Sequence, residues 1–356
     1  MKKFNKGIPK SVSTPCVKIA SRKDVARYAG VSPAAVSQVL NNLPNTRISP
    51  AVRKKIFDAV RQLGYRPHPI ARALVAGKTS IIGILLFHLG SPFSRYAASL
   101  LNASWNQLKE SAHKMQIDCK EIEDDVSTVF IEEGWCDGYI VVAPPLRLRG
   151  AETIPVSPHA CVCIGSRPDG VAISYTDTDN REVGRLAVSY LFEKGHRKIA
   201  HITGPLSGIS SARDRFDGYV QGLKEHGLPY RENLVVNGAF RSDRGGLAMV
   251  DLLGRGEKFT AVFSANDAMA VGAIAEAQSR GLSVPNDISV LGVSDTLISG
   301  EDAFRSLTTI EQPLDKVGAE AAAILLKHLS EEPYLRRPII KLFPGKVVER
   351  ATVSAL

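Results

Sequence analysis

The sequence contains no uninterrupted apolar run of transmembrane length, and no apolar stretch of signal-peptide length follows the lysines near its start. A secreted or membrane-spanning protein is therefore not expected, and a cytoplasmic one is. Cysteine is sparse. Its five positions, Cys16, Cys119, Cys136, Cys161 and Cys163, are too irregular for a disulfide framework or a paired CxxC zinc site. Cys161 and Cys163 alternate along an apolar run and read as buried, reduced thiols on one strand face. Enzyme signatures are missing as well. His196, His201 and Asp177 are present, but no P-loop, GxSxG or metal-spaced histidine cluster accompanies them, so neither catalysis nor a metal or cofactor is expected. His196, in KGHRK, reads as a helix-end or turn histidine.

Acidic residues are nearly absent from one end of the chain. Through Ser80, sixteen Lys or Arg stand against Asp24 and Asp58 alone, a net of +14; the remainder, 29 basic and 34 acidic, nets −5, which restores the total of +9. Such asymmetry points to a polyanion partner for the basic end. Nucleic acid is favoured over a membrane surface because no large apolar face accompanies the charge.

Within that end, Lys23 to Asn42, KDVARYAGVSPAAVSQVLNN, reads as two short helices and a tight turn. Val25, Ala26 and Ala29 share one helical face, and Gly30 suits a helix C-terminus. Ser32 and Pro33 then form an N-cap and a first-turn proline. Val36, Val39 and Leu40 are the apolar positions of the second helix, and its other face is small and polar. An ordinary αα-hairpin shares this outline, but so does the helix-turn-helix, whose second helix enters the major groove. A third helix runs from the Ser49-Pro50 pair to about Leu63, before Gly64. Before these helices, residues 1–20 look like a basic flexible arm. After them, Tyr65 to Pro69 is extended, and Ile70 to Ala76 is long enough for two helical turns, too few to be stable without a partner.

From Ile81 apolar strand-like runs alternate with helical patterns, the signature of a parallel α/β architecture. A long helix is expected from about Phe93 to Met115. Two similar subdomains with a cleft between them are the economical arrangement, and ligands of such folds sit at the carboxyl ends of strands.

In this order the motifs resemble the lactose and galactose repressor (LacI/GalR) family of bacterial transcription regulators, from about Lys18 to Thr352. The stretches that carry the resemblance are KDVARYAGVSPAAVSQVLNN, LGYRPHPIARALVAGKT, SPF at 91–93, EKGHRKIAHITGP, FSANDAMAVGA and LTTIEQP. The resemblance implies a small all-α helix-turn-helix head (21–66), a linker with a hinge helix (67–79) and an α/β core of two parallel-sheet subdomains like periplasmic binding proteins (80–356). The N-subdomain would hold about 80–168 and 300–328, the C-subdomain about 169–299 and 329–356. The resemblance also implies a homodimer on a near-palindromic double-stranded DNA operator. Residues placed like Pro33, Ala34 and Gln38 face base edges, those like Ser37 and Asn41 lie near the backbone, and Leu74 is the hinge-helix wedge in the minor groove. Gln38 departs from the usual Arg; Gln pairs with adenine, Arg with guanine.

For the cleft, the resemblance implies effector contacts from Phe93, Ser211, Arg215, Phe240 and Asn266. Ser294 stands where the family usually has Asp, with Asp295 beside it as a substitute or a structural residue. The stretch Cys119 to Glu133 is shorter than usual, so a trimmed helix is expected there. The function expected is that of a regulator, most often a repressor, controlled by a carbohydrate-like small molecule. The alternatives are control by a protein partner or a non-sugar ligand, and a plain solute-binding protein. Dimerisation is expected through the Ile81-region strands and the first long helix, and the absence of a heptad tail favours a dimer over a tetramer.

Overall fold

A computed structural model describes residues 20–40, 48–66, 77–88, 94–121, 135–157, 159–296 and 306–356, together with Ala73, Thr128 and Ile131. The chain divides into two compact units, Met1–Thr79 and Ser80–Leu356.

The first unit is built on α1 (Arg22–Ala29), α2 (Pro33–Leu40) and α3 (Pro50–Gln62). Each start is fixed by a serine. Ser21 and Asp24 form a reciprocal capping box on α1, Ser32 Oγ accepts the Ala35 N–H at 3.1 Å, and Ser49 Oγ accepts the Val52 N–H at 3.4 Å. Gly30, at φ +64°, closes α1 with its N–H on the carbonyls of Ala26 and Arg27. The core is small: Val25, Ala26, Val36, Val39, Ile56 and Ala59 are buried together.

The second unit contains two six-stranded sheets. The first has the order β11-β5-β4-β3-β1-β2, all parallel, from β1 (Ile81–His88), β2 (Lys114–Glu121), β3 (Gly138–Val142), β4 (Ala160–Ile164), β5 (Ser174–Thr178) and β11 (Ile340–Phe343). Alternate residues of β1 serve two cores. Ile82, Ile84 and Leu86 pack under α4 (Arg95–Leu108) and α9 (Leu314–Leu329), while Leu85 and Phe87 face Tyr139, Cys161 and Cys163 on the other side. Burial of both faces explains the unbroken apolar run that marks this strand. The second sheet, β12-β10-β9-β8-β6-β7, is parallel except for β12. It comprises β6 (Ile199–Thr203), β7 (Val235–Asn237), β8 (Ala261–Ser264), β9 (Ser289–Ser294), β10 (Thr308–Glu311) and β12 (Lys346–Val348). α5 (Asn180–Glu193) and α6 (Ser210–Glu225) cover one face, and α7 (Ser242–Gly254) and α8 (Asp267–Ser279) the other.

The chain passes between the sheets three times: after Thr178, at Gln312-Pro313, and between Phe343 and Lys346. These passages are bonded to one another. Gln312 Nε2 donates to Thr178 Oγ1 at 3.0 Å, and the Asp179 N–H donates to the Phe343 carbonyl at 2.7 Å. The subdomain boundaries thus fall later than the expected 168, 300 and 328. The reason is that β5 and β10 are polar strands without an apolar run. Their hydroxyls are satisfied internally, Thr176 Oγ1 on the Val317 carbonyl at 3.1 Å and Thr309 Oγ1 on Asp267 at 2.6 Å, so both strands lie buried.

Two further expectations need correction. The helix expected to reach Met115 stops at Leu108, and Lys114–Glu121 is an edge strand instead. β1 lies between β2 and β3 and is buried, so it offers no free surface for a partner; α4 does expose Trp105. The hinge helix expected over 70–76 and the trimmed helix expected near 119–133 fall mostly outside the described residues. His196 does sit in the turn after α5, buried, with Nδ1 on Thr260 Oγ1 at 2.9 Å and Nε2 on the Ser354 carbonyl at 3.1 Å.

Candidate functional site

In the head, α2 buries Val36 and Val39 and leaves Pro33, Ala34 and Gln38 exposed. Ser37, between them, accepts from Arg22 Nη1 of α1 at 3.4 Å. Asn41 and Leu74 lie outside the described residues.

In the core, a cavity of about 370 Å³ opens at the carboxyl ends of both sheets. From the first sheet come the ends of β1, β3 and β4 and the first turn of α4, Ser94 to Ala97. The second sheet adds Ser211 and Arg215 of α6, Phe240, the start of α8 at Asn266 to Ala268, and Ser294. Gln312, on one of the three passages, completes the wall. Phe93 is outside the described residues.

Arg215 is 5% exposed, and its hydrogen bonds hold it in place. Nε donates to Asn180 Oδ1 at 2.7 Å, and Nη1 donates to the Ala265 carbonyl. Nη2 has no hydrogen-bond partner among the described residues. Behind it, Asn180 Nδ2 reaches Asp177 at 2.5 Å, which also accepts from Tyr175 Oη at 2.7 Å and the Thr178 N–H at 2.8 Å. Burial pushes the Asp177 carboxyl up to about 6 despite these bonds and the Arg215 charge. The same burial draws Arg215 below its ordinary value and raises the Tyr96 hydroxyl far above its own.

Phe240 is held by the backbone. Ala239 and Phe240 both take positive φ, +50° and +58°, and the ring lies so close to Gly204 that no side chain fits there. Two successive left-handed non-glycine residues store strain of about 1–3 kcal/mol each. The Asn266 amide holds the turn, with Nδ2 on the Phe240 carbonyl at 3.0 Å, while Asn266 Oδ1 caps α8 through the Met269 N–H at 2.9 Å. The Arg215 guanidinium carbon is 6.0 Å from the Phe240 ring centre.

Ser294 donates from Oγ to Gln312 Oε1 at 3.1 Å, so Gln312 links the cavity to the passage at Thr178. Asp295 does not line the cavity. Its carboxylate pairs with Arg350 at 2.8 Å, and only its backbone N–H reaches the site, donating to Asp267 Oδ2 at 2.8 Å. The sequence reading of Asp295 as an effector contact is thus corrected: Arg350, distant in sequence, turns it away. Tyr96, Asp267 and Gln312 also line the cavity, beyond the residues to which the sequence points. Asp267 adjoins Asn266 in the ND pair and Gln312 sits in LTTIEQP, two local signals that were available. Burial raises the Asp267 carboxyl to about 6, against the pull of Thr309 and the Asp295 N–H.

A capped three-helix head whose second helix exposes its outer face, and a two-sheet core with its cavity at the strand ends, together have the build of a DNA-binding transcription regulator. Residues 22–68 match the model of bacterial regulatory proteins of the lacI family, and residues 188–353 that of a periplasmic binding protein-like domain. Catabolite control protein A of Priestia megaterium is 32% identical over 323 residues, covering 87% of this chain and 92% of its own length. The HTH-type transcriptional regulator GalR of Escherichia coli strain K12 is 31% identical over 342 residues, covering 94% and 96%. Among solved structures, the lac repressor dimer bound to operator and the anti-inducer ONPF aligns with a TM-score of 0.78 at 26% identity, covering 95% of this chain and 100% of that one. The regulator CelR in complex with cellobiose gives 0.67 at 26%, covering 94% and 99%.

The chain belongs to the LacI family of bacterial regulatory proteins, and it is a regulator rather than an enzyme. Among the described residues no helix is long and apolar enough to cross a membrane.

Proposed function

We propose that this regulator works in the cytoplasm as a homodimer on a near-palindromic operator, and that a small carbohydrate-like molecule in the core cavity sets its affinity for DNA. The observation that carries the reading is the cavity itself. The Tyr96 hydroxyl, the Ser211 hydroxyl and Arg215 Nη2 have no hydrogen-bond partner among the described residues, and they stand around a space walled on one side by the Phe240 ring. Rings of hydroxyl-bearing carbon suit such a mixture of flat apolar wall and hydrogen-bonding groups. Coupling to DNA follows from the three passages. A ligand that touches both sheets favours one angle between them, and whichever angle suits operator binding gains or loses population accordingly.

A melting screen of the full chain against sugars and their acid and phosphate derivatives tests this. A ligand that binds the folded state raises the melting temperature. Such a ligand is then expected to change operator affinity by at least about fivefold, the lower end of ordinary coupling. A compound that stabilises the protein but leaves operator affinity unaltered would sink the regulatory half of the reading.

Gln38 carries the specificity prediction. Exposed on α2, it is suited to adenine N6 and N7, whereas arginine there would read guanine O6 and N7. Gln38→Arg is expected to move the preferred base at one symmetric pair of operator positions from A·T to G·C, by about 1–3 kcal/mol of discrimination. Selection from a random duplex library reads this out. If wild type and variant recover the same operator, Gln38 does not touch a base.

A further inference from the structure

Resting on the cavity as effector site, we propose that the effector is anionic: a carboxylate or phosphate on a hydroxylated carbon skeleton, with the anion seated where three helix N-termini meet Arg215. The helices α4, α6 and α8 all begin at the cavity, through Ser94 to Ala97, Ser211, and Asn266 to Ala268. Their first-turn N–H groups and aligned dipoles make the region electropositive. The caps consume few of these donors. Ser94 satisfies Ala97 and Asn266 satisfies Met269, while Ile209 gives α6 no side-chain cap. The N–H groups of Arg95, Tyr96, Ser211, Asp267 and Ala268 have no acceptor among the described residues.

Two side chains point the same way independently of the helices. The Ser211 hydroxyl, 8% exposed and lining the cavity, has no partner among the described residues, and neither has Nη2 of the cationic Arg215, which lines the same cavity. Arg95 stands exposed at the same wall, where its charge attracts anions from solution.

The carboxylate and amide acceptors, by contrast, are already engaged. Asp267 is the one acidic side chain among the lining residues, and its two oxygens take Thr309 Oγ1 and the Asp295 N–H. Asp295 is held by Arg350, and position 294 supplies a serine whose proton goes to Gln312. A neutral polyol both gives and accepts hydrogen bonds through every hydroxyl, and with the carboxylate and amide oxygens engaged, the side chains of the wall offer its protons hydroxyl oxygens alone. An anionic oxygen accepts several donors at once, through charge-assisted bonds roughly twice as strong as neutral ones.

Matched series decide the matter on the full chain: glucose, gluconate, glucuronate and glucose 6-phosphate, and galactose with galacturonate and galactose 1-phosphate, read by melting temperature and by calorimetric titration. Within a series the anionic member is expected to bind at least about tenfold tighter than its neutral parent and to raise the melting temperature by several degrees. The carboxylate and phosphate arms show which anion is used. Arg95→Gln, on an exposed side chain that leaves packing intact, and Ser211→Ala are expected to narrow that gap. Neutral sugars binding as tightly as their acids and phosphates would overturn the anionic class and leave the effector cavity standing. Absence of binding by every compound of both kinds would overturn both.

Discussion

A single methyl group at position 184 is expected to lower the melting temperature by roughly 6–12 °C and to weaken ligand recognition as well. Gly184 lies on α5 where that helix crosses α6, and a Cβ there would overlap the Arg215 carbonyl oxygen and crowd the Tyr219 nitrogen. Gly218 on α6 meets the Arg181 carbonyl in the same way, so the two backbones touch without side chains between them. Backbone cannot rotate aside as a side chain can. Overpacking of this kind costs about 3 kcal/mol, at roughly 2–4 °C per kcal/mol for a unit of this size. Because Arg215 rides on the turn that must move, Gly184→Ala should also reduce affinity for any cavity ligand. Gly254→Ala, at the end of α7 with no atom near the added methyl, is the control and should be neutral or slightly stabilising. A variant at 184 that melts within a degree of wild type would refute the close-crossing account.

His201→Phe is expected to reverse part of the pH response of the core. His201 lies wholly buried against the rings of Phe263 and Tyr219, its Nδ1–H donates to the Phe263 carbonyl at 2.8 Å, and its buried Nε2 has no partner among the described residues. Burial draws its pKa down to about 4. Between about pH 6.5 and 4 the unfolded chain therefore takes a proton that the folded one refuses, so stability falls on acidification by about 3 kcal/mol. Burial lowers His196 in the same sense. Asp177 and Asp267, both raised to about 6, act oppositely. Between about pH 6 and 4 the folded state holds protons that the unfolded state has released, and each carboxyl adds about 3 kcal/mol as the pH falls. In the wild type the two histidines offset part of what the two carboxyls add. Without His201 the carboxyls prevail, so the melting temperature of the variant minus that of wild type should climb steadily from pH 7 to pH 4.5. A difference independent of pH would show that His201 is no such proton-refusing site.

The elements legible in the sequence were those announced by local chemistry. Gly30, Ser32-Pro33 and Ser49-Pro50 delimit the head helices at their observed ends, because caps act within one turn. β1, β3 and β4 announce themselves by apolar runs, since both faces of a parallel sheet are covered. β5 and β10 do not, because their burial rests on hydroxyls whose partners lie far along the chain: Thr176 on Val317, Thr309 on Asp267. β2 is an edge strand with charged and exposed positions, and periodicity alone continued α4 through it. The same limit governs the cavity. Ser211, Arg215, Phe240, Asn266 and Ser294 line it, whereas the withdrawal of Asp295 depends on Arg350, and the role of Gln312 on Thr178. Pairs so distant leave no periodic trace.

The arrangement of the last strands bears on how the protein is made. β11 closes one edge of the first sheet and β12 one edge of the second, so neither sheet has its full set of strands until residues 340–348 have been made. The second sheet also waits for Thr352, whose carbonyl accepts the Val290 N–H of β9 at 2.7 Å. During synthesis the head, complete by Gln62, is free to fold and meet DNA long before either lobe of the core has its full set of strands. A ribosome stalled late in this message would therefore display a folded single head attached to a core that still lacks the last strand of each sheet.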